Sequence, residues 1–231
     1  MQGIRNINGI LIAGIQAGFQ PGSRTVITAT GASTYTTPVG CRAILVEGIS
    51  SGGGGASIAN SSAGQIGLGS GGAGGSYGVS ALIPTCSGKT FAVVVGASAS
   101  AGGLGTATTF SSGLNTLLST VVTSNGSSTL STNTTEAFVL GGLGNAGTAG
   151  EELFFGTSAF AGHRVSGTVA MAGRGGSGPF GGGPQVVIAQ GNGPAGGKYG
   201  GGGSGAMSVN AGGAATGGSS GQGILIVWEY Y

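Results

Sequence analysis

The chain has 231 residues, 57 of them glycine, and only 5% are charged, whereas ordinary globular domains carry about 7% glycine and about 25% charged residues. All five acidic residues are Glu (Glu47, Glu136, Glu151, Glu152, Glu229), with one histidine and two cysteines beside them. That inventory excludes a four-ligand Cys/His zinc site, an EF-hand, a Walker B aspartate and a Ser-His-Asp triad, and a net charge of +2 leaves no electrostatic footprint for nucleic acid.

Residues 1–23 form an N-terminal arm. Ile4, Ile7, Leu11 and Ile15 fit a helical face, but Gly3, Gly9 and Gly14 interrupt it, each at a cost of about 1 kcal/mol relative to Ala. A strand-rich or irregular arm is expected, with a short helix as the alternative. The arm lacks a basic segment followed by a clean apolar run, so no secretory signal is expected. No stretch of the sequence approaches the ~20 apolar residues of a membrane span, and no membrane insertion is expected.

Beyond the arm, Arg24–Thr30 and Cys41–Gly48 are rich in β-branched and aliphatic residues and predict strands. Tyr77–Ile83 and Thr90–Val95 flank a turn-like Pro84–Gly88, which predicts a hairpin. Val121–Thr123, Ala137–Leu140, Val186–Ala189 and Gly223–Trp228 supply further candidate strands. Cys41 and Cys86 are too few for a disulfide framework; free, buried thiols are expected, and whether they pair stays open.

Between these runs lie glycine tracts at 52–55, 64–75, 141–150, 173–183, 191–205 and 212–223. Gly141, Gly144, Gly147 and Gly150 recur every third residue, as do Gly197, Gly200 and Gly203. An extended helix with three residues per turn has no internal hydrogen bonds, so its backbone must be satisfied by neighbouring helices, and glycine at every third place lets them approach. Flexible surface loops are the alternative. Ordering so many glycines is entropically expensive, which favours dense lateral bonding and burial between subunits. The fold class expected is all-β: a small β-sandwich-like core over 24–231 with glycine-rich extended (polyglycine II-type) segments packed beside it, and little or no helix.

Several motifs imitate chemistry. Gly88–Lys89–Thr90 suggests a phosphate-binding loop, but Ile83 stands where the leading glycine belongs, and a strand pattern follows. Gly67, Gly69 and Gly72 match a dinucleotide fingerprint without an acidic ribose partner downstream. GxSxG occurs around Ser76 and Ser219, in neither case between a strand and a helix. Adjacent Glu151 and Glu152 point to opposite sides of an extended chain. No enzymatic activity, cofactor or metal is expected. His163, Arg164, Arg174, Lys198 and Tyr199 lie in or beside the later glycine tracts. Displayed on exposed loop tips they are candidate binding residues; the competing reading is ordinary solvation of the charges and capping of the bundle by Tyr199 and Phe180.

From about Arg24 to the C-terminus the chain resembles the glycine-rich domains of bacteriophage tail fibres and related virion appendages. The resemblance rests on ordered blocks: SRTVITATGASTYTTPVGCRAILVEGISSGGGG, GGSYGVSALIPTCSGKTFAVVVGASASAGGLGTATTF, AGRGGSGPFGGGP, GPAGGKYGGGGSGA and GQGILIVWEYY. It implies a virion structural protein assembled in the bacterial cytoplasm, a homotrimer, with glycine-rich loops that contact host surface polysaccharide or an outer-membrane protein. The short segment before Arg24 and the long Ser/Thr-rich stretch Leu114–Thr135 depart from the family pattern. Residues 1–23 would then dock on another virion protein, and a capsid decoration protein with no receptor role is the alternative.

Overall fold

The computed structural model describes residues 21–121, 124–132, 136–166 and 169–231. The expected Ile4–Ala17 segment and most of the 1–23 arm lie outside these residues, as do Val122 and Thr123 of the proposed Val121–Thr123 strand.

Sixteen strands and no helix are found among the described residues. The first eight are β1 (Pro21–Ile27), β2 (Gly31–Thr36), β3 (Ala43–Ile49), β4 (Gln65–Gly69), β5 (Tyr77–Val79), β6 (Ile83–Pro84), β7 (Thr90–Val95) and β8 (Thr108–Ser112). The remainder are β9 (Asn115–Thr120), β10 (Ser128–Thr132), β11 (Ala137–Val139), β12 (Glu152–Phe154), β13 (Gly162–Arg164), β14 (Ala170–Met171), β15 (Met207–Val209) and β16 (Ile224–Tyr230). All pairings between them are antiparallel.

The core is a two-sheet sandwich. One sheet has the order β1-β16-β3-β5-β12, with β6 also on β3; the other runs β2-β7-β8-β9. Strict alternation along TFAVVV buries Phe91, Val93 and Val95 while Thr90, Ala92 and Val94 face water, the period-2 pattern of a half-buried strand. Those three residues, with Phe110 and Leu118, meet Ile44, Val46, Leu225 and Val227 from the opposite sheet in one apolar cluster. β3 and β16 lie inside their sheet and are buried nearly throughout, as expected for strands covered on both faces. Gly48 allows the sheets to close: a methyl there would stand 2.9 Å from Leu118.

The expected hairpin between Tyr77–Ile83 and Thr90–Val95 does not form. β5 and β6 pair with β3, whereas β7 pairs with β2 and β8 in the other sheet. The 84–89 turn therefore crosses between sheets, and pairing follows the buried faces instead of sequence proximity. A local hairpin does form at β8–β9, closed through Gly113 at φ +59°, a conformation that favours glycine.

Two smaller three-stranded sheets, β10-β4-β15 and β11-β13-β14, adjoin the glycine segments, and Ile66, Leu68, Val139, Ala172 and Met207 form a second core between them. Val186–Ala189, expected as a strand, is not one. It runs as an extended segment in which Val187 packs against this second core and its carbonyl accepts from the Ala172 amide at 2.8 Å.

Candidate functional site

The glycine segments are bonded sideways, one neighbour per third of a turn. Amides of Gly52 and Gly55 donate to Gly221 and Gly218, those of Gly53 and Ala56 to Ala73 and Ser70, and that of Gly54 to Gly103. From the 70–75 segment, Ser70 and Ala73 reach Ser127 and Ser124; Gly71 and Gly74 reach Phe160 and Thr157; Gly72 and Gly75 reach Gly203 and Gly200. The 201–206 segment does the same toward 194–197, 173–176 and 53–56. Partners that recur every third residue are the signature of a bundle of three-residue-per-turn extended helices. Methyls added at Gly72, Gly202 or Gly205 would overlap backbone carbonyls of the adjacent segment, so these positions admit only glycine.

Where the contact position is serine, the hydroxyl joins the ladder. Ser76 Oγ donates to the Val121 carbonyl at 2.7 Å and accepts from the Val121 amide at 2.9 Å. Ser70 makes the same two-way tie with Ser127, and Ser51 with Thr106. Ser76 is thus fully buried with its hydroxyl engaged by backbone, a structural position.

The five candidate binding residues are dispersed. His163 and Arg164 lie on β13, in strand and not on a loop tip. Arg164 is fully buried and its Nε donates to the Ser166 carbonyl at 3.0 Å, which corrects its expected exposure: strand register turns it inward beside the second core. His163 stacks on Phe138 with ring centroids 4.1 Å apart, and its Nε2 is buried without a hydrogen-bond partner. Arg174 is exposed and donates to the Gly183 carbonyl at 3.2 Å. Lys198 is exposed, while Tyr199 is half-buried against the cluster of Ile49, Ile224 and Ile226, which Tyr77 and Trp228 also cover. That places Tyr199 as a cap on the outer face of the six-stranded sheet. Phe180 is half exposed beside Tyr77, 6.4 Å between ring centroids.

Two carboxylate sites escaped sequence reasoning. Glu229, buried at one end of the sandwich, accepts hydroxyl hydrogen bonds from Ser23, Tyr35, Thr25 and Tyr231. Burial pushes its carboxyl up, but the four hydroxyls together outweigh it and leave the group below the ordinary carboxylate value. Tyr35 shifts the other way: burial, and then the Glu229 charge it donates to, push its phenol well up. Glu47 accepts from Trp228 Nε1 at 2.8 Å, and partial burial and then the Glu47 charge push the phenol of half-buried Tyr77 up. No spacing rule in the sequence announces either group, because their partners come from strands at opposite ends of the chain.

Among the described residues, no group of three or more His, Cys or Glu side chains is placed to hold a metal. Cys41 is buried and Cys86 exposed, both free, so the expectation of two buried thiols fails for Cys86, which lies in the 84–89 turn between sheets. A scan against protein-family models and a search of curated proteins returned no match to the chain.

Proposed function

We propose that the chain is a bacteriophage virion structural protein, a tail-fibre or tail-tip component that displays loops from a glycine bundle for host attachment. The observation that carries this reading is the three-way lateral bonding of the glycine segments. It is a scaffold held by backbone and a few serine hydroxyls, which frees the connecting loops and their side chains for recognition. The ordered sequence blocks that resemble phage appendage domains point the same way. On this reading Lys198 and Arg174 are the exposed cations of the loop surface, individual contacts are weak, and several copies on one particle raise avidity without new contacts.

Gold-labelled antibody against the chain, applied to intact phage particles and viewed by electron microscopy, tests the proposal. Label is expected at the distal tips of tail appendages. Label over capsid faces or vertices would overturn the adhesin reading in favour of head decoration, and absence of label from every particle would overturn the virion reading itself. Lys198→Ala is expected to slow adsorption to host cells several-fold with no change in melting temperature, since its side chain is exposed.

A further inference from the structure

The outer face of the six-stranded sheet gathers two kinds of side chain that the core does not use. Strand register sets one cross-strand row as Ile226, Glu47, Val79 and Glu152, and the next as Ile49, Tyr77 and Phe154. Glu47 and Glu152 thus stand on one face, two strand spacings or roughly 10 Å apart, with half-buried Val79 between them. Neither row contains a basic residue.

Beside the carboxylates lies a group of rings. Phe154 and Phe180 have their centroids 5.7 and 6.4 Å from that of Tyr77, and their planes are inclined to it by 36° and 60°. Phe154 is 46% and Phe180 51% exposed, so the group is open to water. The negative charges of both Glu47 and Glu152 help to raise the Tyr77 phenol, which places both carboxylates near these rings. Rings inclined to one another make walls, a shape that suits a compact rounded group better than a flat one. Their faces carry negative charge and draw cations to within about 6 Å. The same sheet face already shows that attraction, with the Arg24 guanidinium 5.7 Å from the Trp228 ring. Among the described residues, no cation stands over Tyr77, Phe154 or Phe180.

We infer that the Tyr77, Phe154 and Phe180 rings, with Glu47 and Glu152 beside them, bind an organic ammonium ion. The rings meet the alkyl groups of the cation and its charge together, and the two carboxylates complement that charge. The inference does not rest on the virion reading, since it concerns the purified chain alone.

Ligand-observed saturation-transfer NMR on the full chain tests it, with choline, its uncharged carbon analogue dimethylbutanol, and butylammonium as probes. Choline is expected to bind in about the millimolar range, and the uncharged analogue about fivefold more weakly or not at all. Butylammonium binding as well as choline would assign the site to primary amines such as a lysine side chain, and a preference for choline would assign it to quaternary head groups; both outcomes support the inference. Phe154→Ala is expected to weaken choline binding about fivefold and Glu152→Gln several-fold, with melting temperature as the check on folding. Should Phe154→Ala fail to fold, Glu152→Gln decides. Phe160→Ala removes an exposed ring outside the group and is expected to bind choline as the wild type does. Choline that binds no better than its uncharged analogue would overturn the inference, as would folded Phe154→Ala and Glu152→Gln variants with wild-type affinity.

Discussion

Glu229 ties the two ends of the described chain together: Ser23 and Thr25 of β1, Tyr35 of β2 and Tyr231 all donate to it. Its carboxyl is held below its unfolded value, so the stability it contributes is fully present above the unfolded value of about 4.5 and is lost as pH falls through the folded one. Melting temperature is therefore expected to stay level from pH 7 to pH 5 and to drop below pH ~4. Glu229→Gln is expected to lower it at pH 7, by about 1–3 kcal/mol of stability for the mismatched hydroxyls, and to flatten the acid limb; thermal melts across pH check both. Ser76→Ala makes a matching case without charge. It removes the hydroxyl that the Val121 amide donates to and leaves the Val121 carbonyl with only the 3.4 Å contact from Ser50 Oγ, and should cost about 1–3 kcal/mol in a urea titration. Residue-level roles such as these were the least legible in the sequence. Arg164 reads as a solvated charge in a Gly/Ser context, and only the three-residue strand GHR, too short to show a period, turns it inward.

At the level of elements, strands marked by two-residue alternation or by an aliphatic run were legible, and those set in a glycine or Ser/Thr context were not. TFAVVV formed the strand its pattern predicts, with unchanged ends, and GILIVW became an inner strand of the main sheet, between β1 and β3. β4, by contrast, is QIGLG inside a glycine tract, and β8 and β9 are Thr/Ser-rich; their strand character comes from partners, not from composition. The three-spaced glycines at 141, 144 and 147 did mark contact positions, since a methyl at each would overlap backbone of the neighbouring segment. Glycine substitutions should therefore sort by position. Gly202→Ala, facing the Gly72 carbonyl, is expected to destabilise by about 1–3 kcal/mol or to prevent folding. Gly182→Ala and Gly213→Ala meet open space and are expected to be neutral or to stabilise by ~0.4–1 kcal/mol through the unfolded chain. Chemical denaturation of the three variants side by side distinguishes the two classes.

For the whole molecule, nearly every lateral bond joins distant parts of the sequence, as in Gly52 with Gly221 or Gly203 with Gly53. Little can form locally before the chain closes on itself, and folding governed by such remote pairings is slow, in the millisecond-to-second range or beyond. β16 lies between β1 and β3, so the last strand completes the central sheet. Removing Ile224–Tyr231 is expected to abolish cooperative unfolding, which a calorimetric scan would show as loss of the transition.

The lateral bonding also gives the chain a phase. Each residue in a glycine segment addresses one of three neighbours, and the assignment repeats after three positions, much as a reading frame does. A single glycine inserted between Gly72 and Ala73 would rotate the rest of that segment by a third of a turn, so that the Gly75 amide, now bonded to Gly200, would aim at another segment. An insertion of three residues within the segment leaves the phase intact. The lengths of the bonded segments can therefore vary only in units of one turn, and an insertion scan along them, read out by folding yield, should show that period of three.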